Sequence, residues 1–241
     1  MITLTSVSKE IGRGAYRRLV VDDVTWTIPR RAQIVVFGHR GAGVSELLSI
    51  IAGTSLPTKG WVKRQATTSR PRGYIQFAGF GTARALIDRL SILYKADPRE
   101  IAEFVETGLQ SRQVLDVPVR QLPAVLRRQL NFVLLYAVPC EFYLFENGIV
   151  GGGNEEFRTF CQNAFEMRRR EAGMIFAVSS TRAVSAFDKS MSGAILYRGE
   201  LTLYRHLSDA MMVFDSLPPE EAVPTQALES EPTDPEEEVF L

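Results

Sequence analysis

The spacing of apolar positions changes along this chain in a definite order, and that order predicts its elements. MITLTSVSK, a polar GRGAYRR turn and LVVDDVTWTIP, with Val21, Val24, Trp26 and Ile28 in near alternation, predict the strands of an antiparallel β-layer. AQIVVFG follows as an unbroken apolar run of strand length stopped by Gly38, the pattern of a strand buried on both faces of a parallel sheet. Behind a glycine-rich turn, SELLSIIAG places Leu47, Leu48, Ile50 and Ile51 at helical spacing, and Gly53 suits the helix C-terminus. Residues 84 to about 137 read mainly helical through RALIDRLSILYKA, DPREIAEFVETGL and VLRRQLNFVLLYAV, with Asp97 and Pro98 as an N-cap and N1 pair. EFYLFE (141–146) is another buried strand, and NEEFRTFCQNAFEMRRREAG is a long polar helix expected to end on Gly173. MIFAVSS, AILYRG and LTLYRH are strands, with YRGELTLY a hairpin.

The 241 residues, 45% of them hydrophobic, can bury one substantial core, or one core with a smaller lobe. No eighteen-residue apolar run predicts a transmembrane helix, and MITLTSVSKE lacks the features of a secretory signal. Cys140 and Cys161 have no metal-ligand or CxxC spacing, and read as buried free thiols in a reducing compartment. Zero net charge hides an asymmetry. Residues 216–241 hold eight acids, five of the twelve prolines and no Lys or Arg, so the preceding 215 residues carry a net charge of +8. This composition predicts a disordered, solvated tail. Docking of Val239-Phe240-Leu241, or of the acids on a basic surface, stays open as the alternative. The domain expectation is therefore one body over 1–215 and a separate tail over 216–241.

GHRGAGVS (38–45) sits between the predicted strand and helix, the setting that a phosphate-binding loop G-x-x-x-x-G-K-[ST] requires. Gly38, Gly43 and Ser45 meet three of its four fixed positions, and Val44 stands where the lysine belongs. The fold expected is α/β, of the P-loop NTPase type: a mostly parallel sheet with an N-terminal antiparallel β-layer and a helical subdomain.

The chain resembles the ATPase subunits of ABC transporters, above all those of bacterial capsular-polysaccharide exporters, from residue 1 to about 212. IPRRAQIVVFGHRGAGVSELLSIIAGTSLPTKGWV, DRLSILYKA, RRQLNFVLLYAVPCEFYLFEN and MIFAVSST carry the likeness. The resemblance implies ATP bound by Gly38, Arg40, Gly41, Gly43 and Ser45, with Gln76 in the Q-loop and Tyr16, or Ile11, beside adenine. It implies Mg²⁺, if any, on Ser45 and Glu146, the latter standing where the family has an Asp. Four chemical groups depart from the family pattern. Val44 removes a fixed positive charge, worth about 1.5–3 kcal/mol as a charge-assisted hydrogen bond; Arg40 is the candidate substitute. Asn147 replaces the catalytic Glu, and an amide cannot accept a proton from water. Ser180 replaces the switch histidine, which neither His39 nor His206 is placed to supply. Pro123, Ala124 and Val125 lie across the Ser-Ser-Gly of the signature, without its hydroxyl or its glycine. Gly153 or Asn154 takes the place of the aspartate that follows Walker B.

The resulting expectation is a catalytically degenerate subunit of a capsular or surface polysaccharide exporter, a structural or regulatory partner of its membrane permease. ATP and Mg²⁺ binding would be weakened, and phosphate or sulfate could occupy the loop. The subunit would lie peripherally on the cytoplasmic face of the bacterial inner membrane. It would act as a homodimer or as a heterodimer with an active ABC ATPase, and without nucleic acid. Arg84, Arg89, Tyr94 and Phe104 are candidate permease contacts. An atypical active ATPase and a free-standing scaffold remain the alternatives.

Overall fold

The computed structural model describes residues 1–12, 14, 17–75, 79, 81–146, 153–184 and 190–219. Strands β1 (Ile2–Ile11) and β2 (Arg18–Ile28) pair antiparallel, as their alternation predicts. Next come β3 (Gln33–Phe37), helix α1 (Val44–Ala52) and β4 (Lys59–Arg64), which returns to β1 and completes an antiparallel sheet of order β2-β1-β4. Three helices follow: α2 (Ala83–Tyr94), α3 (Pro98–Leu109) and α4 (Ala124–Ala137). Thr82 caps α2, and the Asp97 carboxylate accepts the Arg99 amide at 2.8 Å to cap α3.

The remaining elements are β5 (Phe142–Glu146), α5 (Glu155–Arg169), β6 (Gly173–Val178), β7 (Ser192–Tyr197), β8 (Glu200–Tyr204) and α6 (Leu207–Ser216). The main sheet has the order β5-β6-β3-β7-β8, parallel except for its edge strand β8. The α/β expectation holds, down to the antiparallel layer and the helical segment. α5 ends at Arg169 rather than on Gly173, which instead opens β6; Phe142 lies so close beside Gly173 that a side chain there would strike its ring.

Both faces of this sheet are buried, and that explains its unbroken apolar strands. Val35, Phe37, Tyr143, Phe145, Met174, Phe176 and Ile195 point into a core shared with α2–α6. Their neighbours Ile34, Val36, Phe142, Leu144, Ile175, Ala194 and Leu196 point into a second core, with α1 and the antiparallel layer. Phe145 stacks on Phe176, ring centroids 4.9 Å apart. Cys140 and Cys161 are buried free thiols. Among the described residues no helix is long and apolar enough to cross a membrane.

Candidate functional site

The site forms where β3, β5 and β6 end beside the first turn of α1. Gly43 holds φ 96° at the N-cap of α1, and no side chain caps the helix. The first-turn amides of Val44, Ser45 and Glu46 are left without intrahelical acceptors, pointing their donors outward. A cleft of about 350 Å³ opens there, lined by Gly38, Arg40, Gly41, Gly43, Val44, Ser45 and Glu146. Glycine at 43 is obligatory on two grounds: positive φ, and a Cβ that would lie 2.6 Å from the Val20 carbonyl oxygen. The loop is thus pressed against β2, and its shape belongs to the packing of the fold.

Val44 turns inward. The residue is 8% exposed, and its side chain lies over Gly38 and joins the core of Leu47, Leu48 and Ile51. Arg40 is exposed at the cleft mouth, and Ile11 from β1 lines the cleft. Arg18 approaches from β2, its Nη1 3.7 Å from where a Cβ on Gly41 would sit. His39 also borders the cleft, but its ring stacks on Phe214 of α6 at 4.7 Å.

Ser45 and Glu146 come together across a hundred residues: the Ser45 hydroxyl donates to Glu146 Oε1 at 2.6 Å. The Glu146 side chain is only 12% exposed, and Arg72 forks onto it, Nε to Oε2 at 3.2 Å and Nη2 to Oε1 at 3.4 Å. Nothing in the periodicity pointed to Arg72. It lies in an S-R-P-R-G turn, whose local signal is only that of a chain reversal. Mg²⁺ would need near-octahedral oxygen ligands at about 2.0–2.1 Å. The Ser45 hydroxyl keeps its lone pairs while it donates to Glu146, but a guanidinium already spans both oxygens of the carboxylate. In this arrangement the residues do not fit a divalent cation.

Ser180 is exposed and accepts the Arg182 amide at 3.2 Å, starting a 3-10 turn over Thr181–Val184; Ser179 lines the cleft instead. Pro123, Ala124 and Val125 form the start of α4, where no side chain caps the helix and Val125 is 54% exposed. Asn154 caps α5, accepting the Phe157 amide at 2.9 Å. His206 occupies the N-cap position of α6 without making a cap bond. Tyr16, Gln76, Asn147 and the tail from residue 220 lie outside the described residues. Of the candidate docking contacts, Arg84 is exposed and forks onto Asp116 at 2.6 and 3.0 Å, and Arg89 is exposed on α2. Tyr94 and Phe104 are instead packed on the core, Tyr94 donating to the Thr68 carbonyl at 3.0 Å and Phe104 edge-on to Phe160.

No family model matches the chain. A dimeric bacterial ABC transporter cassette superposes with TM-score 0.64 at 16% identity, covering 83% of this chain and 96% of that one. The ATP-binding subunit of an ABC transporter gives 0.66 at 15% identity, covering 89% and 93%. The fold is that of an ABC ATPase cassette. A capsule polysaccharide export ATP-binding protein of Neisseria meningitidis serogroup B is 26% identical over 220 residues, spanning 90% of this chain and all of that protein. A polysialic acid transport ATP-binding protein of Escherichia coli is 26% identical over 190 residues, 78% of this chain and 84% of its own length. An ATP-binding protein of Haemophilus influenzae is 23% identical over 188 residues, 78% and 86%. Two of these three relatives are thus named as ATP-binding proteins of capsule polysaccharide export or polysialic acid transport.

Proposed function

We propose that this cassette is a catalytically degenerate subunit of a capsular or surface polysaccharide exporter, a structural or regulatory partner of a membrane permease on the cytoplasmic face of the bacterial inner membrane. The observation that carries the reading is Val44. The glycine loop and its helix amides keep the form that receives phosphates, while the cation's place is taken by an aliphatic side chain packed into the core. The exchanged Asn147 and Ser180, and the Pro123-Ala124-Val125 segment, support the same reading, since each removes a different part of one transition state.

In this reading ATP is held weakly by the amides around Gly38, Gly41, Gly43 and Ser45, and phosphate or sulfate can occupy the same loop. The cassette pairs with a second copy or with an active ATPase, its α4 start facing the partner's nucleotide. Arg40 at the cleft mouth favours a second reading, an atypical active ATPase. The test is co-purification with a polysaccharide-export permease in detergent, with phosphate release followed under ATP. A stable complex whose hydrolysis stays at background fits the proposal. Turnover in the usual enzyme range, about 1 per second or more, would replace it with the second reading; a chain that never co-purifies is a scaffold outside any transporter.

A further inference from the structure

We propose that Arg72, and not a divalent cation, supplies the positive charge at Glu146, so that a phosphate-class anion such as a nucleoside triphosphate enters the loop without metal. The inference rests on the reading of this cleft as a nucleotide site.

The problem it addresses is electrostatic. Glu146 places a largely buried carboxylate beside Ser45, on the wall of the cleft that would receive phosphate. Left alone, that charge would repel the ligand. Ordinarily a bound cation and a loop lysine would offset it; here Val44 supplies nothing. Arg72 does, reaching both carboxylate oxygens at 3.2 and 3.4 Å.

The turn that carries Arg72 is built to hold it there. Asn131 on α4 donates from Nδ2 to the Arg72 carbonyl at 3.0 Å and accepts the Tyr74 and Ile75 amides on Oδ1 at 2.8 and 3.0 Å. The Gly73 amide bonds the Arg70 carbonyl at 2.9 Å, and the Asn131 amide lies too close to Gly73 for any side chain there. Tyr74 is fully buried just beyond. The arginine backbone is therefore clamped from α4, while its side chain, 65% exposed, is held among the described residues by the fork on Glu146 alone. Arg72 acts through Glu146, as a positioning residue for the anion site.

The test is calorimetric titration of ATP into the full chain, once in EDTA and once in millimolar Mg²⁺. The wild type should bind with the same affinity in both, within a factor of about three. Arg72→Ala should lose about tenfold in EDTA, the worth of one charge-assisted contact, and Mg²⁺ should recover most of the loss. Arg72→Ala combined with Glu146→Gln should bind in EDTA as the wild type does, because the repelling charge is gone; a merely structural role for Arg72 would not be rescued in this way. Binding by the wild type that tightens tenfold or more with Mg²⁺ overturns the inference and leaves the nucleotide reading standing. So does a double variant as weak as Arg72→Ala. No ATP binding in either buffer overturns both.

Discussion

Val44→Lys restores the one group that the loop lacks, and the structure indicates how the change divides between stability and affinity. The Val44 side chain lies over Gly38 and the residue is only 8% exposed, yet it lines the cleft. A lysine stem on the same path keeps its first methylenes in the core and delivers the ammonium to the phosphate side. Lengthening a packed side chain costs about 1–3 kcal/mol of stability, a loss present with or without ligand. The charge-assisted hydrogen bond gained with bound ATP is worth about 1.5–3 kcal/mol, a tightening of roughly ten- to 150-fold. In a thermal melt at saturating ATP, a tenfold gain adds about 1.4 kcal/mol. For a domain of this size that raises the ATP-induced shift by about 3–6 °C. Titration calorimetry on both proteins reads the affinity directly. A variant that melts cooperatively without ligand, yet binds ATP no better than the wild type, refutes the view that a sound phosphate cradle lost only its cation.

Gly43→Ala should destabilise the chain by more than about 2 kcal/mol, since left-handed strain alone costs about 1–2 kcal/mol and the new Cβ strikes the Val20 carbonyl; a calorimetric melting temperature within a degree of the wild type would contradict this. Asn131→Ala strips the Tyr74 and Ile75 amides of their acceptor and should cost about 1–3 kcal/mol, read as an earlier urea midpoint at unchanged slope. Burial pushes the Cys140 thiol up to about 12, against weaker opposing effects of the Tyr74 hydroxyl and Arg168. The native protein should therefore resist a disulfide reagent near neutral pH, and fast labelling of Cys140 without unfolding would count against that burial. Because the folded-state value is the raised one, this thiol's contribution to stability is fully present below pH 9 and is lost as pH rises towards 12, so alkaline denaturation should steepen in that window.

Elements with a clear local pattern were legible, the β1–β2 layer and the β7–β8 hairpin among them, and those that depend on a distant partner were not. The β3, β5 and β6 runs could be read because both faces of the sheet are covered, leaving no polar position to break them. α3 could be read from Asp97-Pro98, because a cap is a local chemical event. β4 was missed: KGWVKR alternates charge with exposed Trp61, and only register against β1 makes it a strand. α6 was missed because its apolar stripe is short and follows an edge hairpin, although it puts Phe214 beneath His39 of the loop. In the cleft, the glycine loop, Ser45 and Glu146 were named from spacing and resemblance. Arg72 and Asn131 were not, since their partners lie 74 and 57 residues away and no local pattern encodes such a pairing.

The same contrast separates what the fold needs from what a ligand needs. Gly43 is held by the Val20 backbone, Val44 by the core, Ser180 by a turn and Asn154 by a helix cap; each would hold its geometry in a protein that binds nothing. Persistence of the loop is therefore weak support for catalysis, and a lysine position filled by valine adds core contact where a buried stem would end in a charge. The Arg72–Glu146 pair is different. A largely buried carboxylate costs desolvation energy, and an ion pair rarely returns more than an apolar replacement of similar volume would. Glu146 is the last residue of β5, in register with Ala177 of β6, and that pairing makes no demand on its side chain. What its presence does match is a cleft that opens onto helix amides, with an arginine from the neighbouring turn forked onto the carboxylate. In the proposed reading, that pairing, more than the glycines, suits the cleft to an anion.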